Sequence, residues 1–313
     1  MRGFDAKLDQ AARIAWMYHV EGATQDQIAR QVGLSRQGVQ RALTLARAEG
    51  LIKVRLDHPV AACMELAEAL RERYGLRYCD VAPIMPGTTS LRPLTVVGAA
   101  KLENYLNRSE RLVIGVATGR TLRAMIDETA HVDCAHHRLV ARVGVISPDG
   151  ATNPFDAMAW LADKTGARSY QLPAPIMADS AEEREHFANQ RLYRLVYDLA
   201  ERADVSFVGI GTIDEHAPLR LEGCISPAEV DALRSRGAVG EITGWVLDRD
   251  GRLLDDEIND RVTSIPIQPE HEQLIIGVAG GRSKVGAIRA ALRGRWLSGL
   301  ITDEEVARAV LTD

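Results

Sequence analysis

Apolar positions in the first fifty residues recur at three- and four-residue spacing in three blocks, each the signature of an amphipathic helix. In residues 7–20, Leu8, Ala11, Ile14, Ala15 and Tyr18 make one face, and Glu21-Gly22 provides a stop. Thr24, with Gln27 three residues on, has the form of a capping box and opens a second helix that buries Ile28, Ala29 and Val32. Gly33 breaks it, and Leu34 packs in the turn. Ser35 caps a third helix with Val39, Leu43 and Ala46 inward, and Gly50 ends it. Helix, glycine-containing turn and helix at this spacing predict a helix-turn-helix. Residues 51–56 then alternate apolar and basic, as a short wing strand would, with Lys53 and Arg55 on its polar face.

Beyond Pro59 the pattern changes. Residues 61–74 form a helix with Met64, Leu66, Ala67 and Leu70 inward, stopped by Gly75. Its expected role is a linker that contributes to self-association, with a first core helix as the alternative. Apolar, strand-like runs follow at 111–117, 137–146, 204–210, 244–247 and 273–278. Helical patterns lie between them at 94–106, 121–129, 155–165, 182–201, 227–236 and 283–293. That alternation predicts an α/β domain with a mostly parallel sheet and helices on both faces. Asp248-Arg249-Asp250-Gly251 reads as a hairpin turn. The expected organisation is a small all-α, winged helix-turn-helix domain over residues 1–56 and a large α/β effector-binding and oligomerisation domain over 57–313.

Composition narrows the class. At 313 residues, 46% apolar and 26% charged, the chain has material for a sizeable core and is neither disordered nor low in complexity. No apolar run is long enough for a membrane helix, and the first nine residues lack the apolar stretch of a signal peptide. The four cysteines, Cys63, Cys79, Cys134 and Cys224, lie far apart, as reduced thiols of a cytoplasmic protein do. The formal net charge of −5 argues against a nucleic-acid binder, but its distribution does not. Residues 1–56 hold nine Lys/Arg and five Asp/Glu, so a head of +4 precedes a body of −9. Such asymmetry is expected when one module touches DNA.

The third helix carries the matching chemistry. Arg36, Gln37, Gln40 and Arg41 share its outer face, and Arg and Gln pair with guanine and adenine edges in the major groove. Thr24, Gln25 and Ser35 at the helix starts, with Lys53 and Arg55 in the wing, complete the candidate DNA-binding set. A solvated charged face on a generic three-helix module is the alternative.

In the large domain the informative positions follow the strands, because open α/β sheets bind ligands at the carboxyl ends of their strands. One strand leads into Ala117-Thr118-Gly119-Arg120-Thr121 and a helix, an arrangement that offers backbone N–H groups to an anion. Another leads into Gly211-Thr212-Ile213-Asp214, and a third into Gly280-Gly281-Arg282-Ser283-Lys284. Convergence of these loops on one phosphorylated ligand is the expectation; tight turns without a ligand are the alternative. Arg142, within an apolar strand, needs a partner, either a ligand phosphate or a structural carboxylate. Glu241 is a candidate acceptor for sugar hydroxyls, or else a solvated loop charge. No nucleotide-binding fingerprint is present. His131, Asp133, Cys134, His136 and His137 are zinc-compatible in type but not in spacing, so neither metal nor cofactor is expected.

These segments resemble the SorC family of sugar-binding transcriptional regulators. The resemblance covers nearly the whole chain. It rests on the helix-turn-helix, on Gly115-Val116-Ala117-Thr118-Gly119-Arg120-Thr121, on Asn153-Pro154 with Leu172-Pro173-Ala174-Pro175, and on Val208-Gly209-Ile210-Gly211. The most specific part is terminal: Ala279-Gly280-Gly281-Arg282-Ser283-Lys284, then Ala290-Ala291-Leu292-Arg293-Gly294 and Leu300-Ile301-Thr302-Asp303-Glu304. The resemblance implies a DNA reader joined to a body with the fold of sugar-phosphate isomerases. Its implied partners are double-stranded operator DNA, a sugar, polyol or sugar phosphate, and further copies of the chain in a dimer or tetramer. It implies phosphate at residues 117–121, cations from Arg142 and Lys284, and hydroxyl contacts from Glu241. The competing reading is a sugar-phosphate isomerase with an appended DNA-binding head, for which Glu241, Asp214 and Asp248 are the available bases.

Overall fold

The computed structural model describes residues 6–52, 61–84, 90–268 and 272–312. The chain divides into two compact units, Met1–His58 and Pro59–Asp313.

In the first unit, α1 (Ala6–His19), α2 (Gln25–Val32) and α3 (Arg36–Ala48) enclose a core of Ala11, Ile14, Ala15, Met17, Ile28, Ala29, Val39, Leu43 and Ala46. The predicted face of α1 is right except at its end: Met17 is buried and Tyr18 is exposed. Gly22 and Gly33 both take positive φ and close α1 and α2. The predicted wing begins with Leu51 and Ile52, which form no strand, and its remainder lies outside the described residues.

The second unit opens with α4 (Ala61–Tyr74), β1 (Tyr78–Ala82), α5 (Arg92–Leu106), β2 (Val113–Val116) and α6 (Arg120–Glu128). It continues through β3 (Arg138–Ile146), α7 (Ala157–Thr165), β4 (Arg168–Pro175), α8 (Ala181–Asn189), α9 (Arg191–Ala200) and β5 (Val205–Val208). Next come β6 (Gly211–Thr212), α10 (Pro218–Leu221), α11 (Pro227–Ser235), β7 (Ala238–Ile242), β8 (Trp245–Asp248) and α12 (Glu257–Asp260). The last elements are β9 (Leu274–Val278), a 3-10 turn (Arg282–Lys284), α13 (Val285–Arg293), β10 (Gly299–Asp303) and α14 (Glu304–Leu311).

The main sheet has the strand order β1-β10-β9-β5-β2-β3-β4, and every pairing in it is parallel. Both faces are covered, so β5 and β10 are buried at every position, including Ser206, Thr302 and Asp303. From β2 the chain runs outward through β3 and β4, then returns to place β5 on the other side of β2. The β2/β5 boundary is therefore the topological switch point, where such sheets open a crevice. A small antiparallel sheet, β6-β7-β8, stands apart from the main one.

Two expectations need correction. The helix at 61–74 is not a linker: α4 packs on β1 and α14, with Cys63, Ala67 and Leu70 buried in the main core and Met64 exposed. The predicted helix at 182–201 is two helices. Gln190 is extended between them, and α9 buries Tyr193, Val196 and Ala200 whereas α8 buries nothing fully. The break lets α9 dock while α8 follows the surface.

The histidine-rich connection is structural. His137 is buried, its Nδ1 accepting from Leu112 N–H at 3.1 Å and its Nε2 facing Leu106 O at 3.2 Å. His136 Nε2 bonds Arg108 O. Among the described residues no three His, Cys, Asp or Glu side chains are grouped to hold a metal ion. The four cysteines are free and buried.

Candidate functional site

The head presents the predicted polar face. Thr24 and Gln27 form both bonds of the capping box, and the Ser35 hydroxyl accepts from Gly38 N–H at 3.1 Å. These caps fix where α2 and α3 begin, and so which residues of α3 point outward. Arg36, Gln37, Gln40 and Arg41 are all exposed. Gln25 Nε2 donates to Gln40 Oε1 at 2.7 Å, which ties the start of α2 to the middle of the exposed face of α3. Arg36 lies 3.9 Å from Asp26, an exposed pair that a phosphate or base can displace at little cost. Lys53 and Arg55 lie outside the described residues.

In the body, a cavity of about 360 Å³ opens at the carboxyl ends of β2, β5 and β9. Its size suits a small sugar or sugar phosphate. Its lining includes Ala117, Thr118, Gly119, Arg120, Thr121, Gly211, Glu241, Gly280, Gly281 and Lys284. Loops about 90 and 160 residues apart in the chain thus meet at the switch point.

Local chemistry explains how each wall is made. Gly119 has φ +126° and ψ 156°, a backbone state open to glycine alone, and no side chain caps α6. The first-turn N–H groups of α6 therefore face the cavity without a side-chain cap. On the facing loop, Gly281 N–H donates to Asp303 Oδ2 at 2.7 Å, and Gly280 packs so closely on Asp303 and Leu94 that a side chain would not fit. Lys284 leaves this loop with its Nζ donating to Ile210 O at 2.7 Å. Burial pulls its pKa down and the charge of Glu241 opposes that.

Glu241 comes from β7 of the small sheet and is buried. Gly244 N–H donates to its Oε2 at 2.7 Å, yet burial prevails and raises its pKa to about 7. The turn that supplies this N–H is strained: Thr243 holds φ +51°, costly for a β-branched residue. The Thr243 hydroxyl is buried, lines the cavity and has no hydrogen-bond partner among the described residues.

Sequence reasoning missed three polar members of the lining: Glu222, Thr243 and Ser283. Ser283 lay within a loop already singled out. Glu222 follows the short helix α10 and Thr243 sits in a hairpin turn; neither belongs to a recognisable spacing.

Arg142 is the clear correction. Its neighbour Val143 lines the cavity, so Arg142 points to the opposite face of the sheet. There its guanidinium meets Ala200 O and Pro266 O at 3.3 Å, with Gln273 Oε1 at 3.5 Å. Its hydrogen-bond partners among the described residues are carbonyl groups, and burial lowers its pKa to about 10 against the opposing charge of Glu201. Asp214 and Asp248 also lie outside the cavity lining; Asp248 Oδ1 is occupied by Asp250 N–H and Arg252 N–H.

Comparison with known proteins places the molecule. Residues 58–312 match the model of a sugar-binding domain family. The chain is 36% identical to the erythritol catabolism regulatory protein EryD of Brucella abortus over 98% of both chains. It is 33% identical to the transcriptional regulator LsrR of Klebsiella pneumoniae, over 98% of this chain and 94% of that one. It belongs to the SorC family of sugar-binding transcriptional regulators. The full-length sorbitol operon regulator SorC of Klebsiella pneumoniae shares the fold, with a TM-score of 0.70 at 23% identity over 98% of this chain and all of that one. This chain is therefore a sugar-binding transcriptional regulator whose residues 58–312 match the sugar-binding domain. No helix among its described residues is long and apolar enough to cross a membrane.

Proposed function

We propose that a sugar, polyol or sugar phosphate binds in the switch-point cavity and changes the affinity of the α2–α3 unit for operator DNA. The observation that carries the reading is the meeting of three strand-end loops with Lys284 and Glu241 around one cavity. In this reading residues 117–121 and the loop at 280–284 receive the anionic group of a phosphorylated effector through backbone N–H groups, with Arg120 and Lys284 as its cations. Glu241 and Thr243 take hydroxyls. Arg36, Gln37, Gln40 and Arg41 read bases, while residues at the helix starts meet phosphate. The name of the relative EryD supports a polyol or a derivative of one.

The effector must bind one conformation of the body better than another, since only that difference moves an equilibrium. A hundredfold change in operator affinity needs about 2.7 kcal/mol of coupling. We read the regulator as a cytoplasmic homo-oligomer, dimer or tetramer, on a pseudo-palindromic operator with half-sites about one helical turn, or a multiple of it, apart. We also read it as non-enzymatic. One feature favours the rival: burial raises the pKa of Glu241 to about 7, the range of a general base.

The test is to select the preferred operator from random duplexes, then titrate the full chain on it with sugars, polyols and their phosphates. A tenfold or larger shift by one compound supports the reading. No shift by any compound, or turnover of a sugar phosphate that Glu241→Gln abolishes, refutes it.

A further inference from the structure

Among the described residues the cavity is lined by four charged side chains: Arg120 and Lys284, Glu222 and Glu241. Their formal charges sum to zero. A site built for two phosphates needs a clear excess of cations, because each phosphate brings nearly two negative charges at neutral pH. Here the backbone N–H groups and two cations suffice for one such group, and two carboxylates remain.

Glu222 is the more informative carboxylate. It lies where the cavity meets a second, outer cavity of about 800 Å³, and Arg120 and Pro218 line both as well. It is held in place from behind. Asn153 is buried, donates from Nδ2 to Glu222 Oε2 at 2.8 Å, and accepts Phe155 N–H on its own Oδ1 at 2.8 Å. With both ends of the amide used, Asn153 has one orientation, and the orientation fixes the carboxylate. A carboxylate offers acceptors and no donor when ionised. It therefore welcomes hydroxyls and repels phosphate. Burial raises its pKa, as expected of a carboxylate that awaits donors from a ligand.

We infer that Glu222, oriented by Asn153, is a specificity-determining residue that admits effectors with free hydroxyls and at most one phosphate and rejects bisphosphates. The inference rests on the proposed effector site. It names the ligand class: a short polyhydroxylated chain, unphosphorylated or phosphorylated at one end.

Calorimetry on the full chain tests it, with matched probes: erythritol and D-erythritol 4-phosphate, ribulose 5-phosphate and ribulose 1,5-bisphosphate, fructose 6-phosphate and fructose 1,6-bisphosphate. Wild type should bind an unphosphorylated or monophosphorylated probe at least tenfold more tightly than any bisphosphate. Glu222→Gln keeps the shape and the acceptor for Asn153 but loses the charge, and it should narrow that gap at least tenfold. If bisphosphates bind wild type as tightly as monophosphates, or if Glu222→Gln leaves the ratio unchanged, the inference fails while the effector site stands. If wild type binds none of the probes, both fail together.

Discussion

Gly211 and Glu241 face each other across the β6/β7 pair, and the glutamate side chain fills the space that a side chain at 211 would need. A β-carbon there would collide with Glu241 Oε1 and lie 2.8 Å from its Cδ. The obstacle is the mobile end of a side chain, so Gly211→Ala should fold, with a melting temperature only a few degrees lower. Glu241 must swing away and give up Gly244 N–H. Effector affinity should fall at least tenfold by calorimetry, while operator affinity without effector stays near that of wild type.

In the proposed site, Lys284 is expected to separate phosphorylated from unphosphorylated effectors. Its ammonium is half of the cationic complement of the cavity, and a hydrogen bond to a charged group contributes about 1.5–3 kcal/mol. Lys284→Met should weaken a sugar phosphate by about 10–100-fold and the parent sugar or polyol much less. Equal losses for both, measured by titration, would assign the lysine a structural role.

Glu241 makes the stability of the empty protein depend on pH. Its folded pKa of about 7 exceeds the ordinary value of 4.5, so the folded state binds more protons between those limits. By linkage its contribution is full below about 4.5 and is lost as pH rises through 7. Glu241→Gln should remove this slope and melt higher than wild type above pH 7. Hydroxyl donors from an effector favour the ionised form, so binding at pH 6.5 should release protons. Calorimetry in buffers of different ionisation enthalpy measures that release.

His137 works in the opposite direction. Burial and the neighbouring His136 lower its pKa below the ordinary 6.5, and protonation would cost the Leu112 N–H its acceptor. The unfolded state then binds the extra proton, and stability falls as pH drops below about 6.5. Melting curves of wild type and His137→Asn, compared between pH 7 and 5, should diverge on the acid side, with wild type losing more.

On the head, Gln40 is the sharpest test of the DNA-reading face. Its amide is oriented by Gln25, and it is exposed. Gln40→Ala should cost about 1–3 kcal/mol on the selected operator and relax preference at one base pair. Arg41→Ala should likewise relax preference at a second base pair; a loss equal on all duplexes, with the salt slope lower by about one, would mark a phosphate contact instead. Fluorescence anisotropy on operator and scrambled DNA separates the two patterns.

The parts legible in the sequence are those with local causes. Capping residues and glycine stops placed α2 and α3 to within a residue, and the glycine loops at strand ends led to most of the cavity wall. What escaped depends on distant packing. β4 carries Arg168, Gln171, Pro173 and Pro175, and it is a strand because β3 pairs with it, not because of its composition. Periodicity points Tyr18 and Met64 inward, but Met17 and Cys63 occupy those places, a rotation of one residue that only the neighbouring elements decide. Arg142 is misplaced by the sequence because an apolar strand has two buried faces, and a sequence does not say which one faces the cavity. Glu222 and Thr243 have no spacing to betray them.

The small sheet has one more implication. Gly211, Glu241 and Thr243 belong to β6, β7 and the turn after β7, whereas residues 117–121 and 280–284 hang from the main sheet. A ligand in the cavity is thus a keystone resting on two separate pieces of architecture. Each piece can grip one end of the molecule, but only a molecule that spans both can lock them together. A fragment that touches one side would occupy the site without locking it, and would act as a competitor of the true effector, not as a weak version of it.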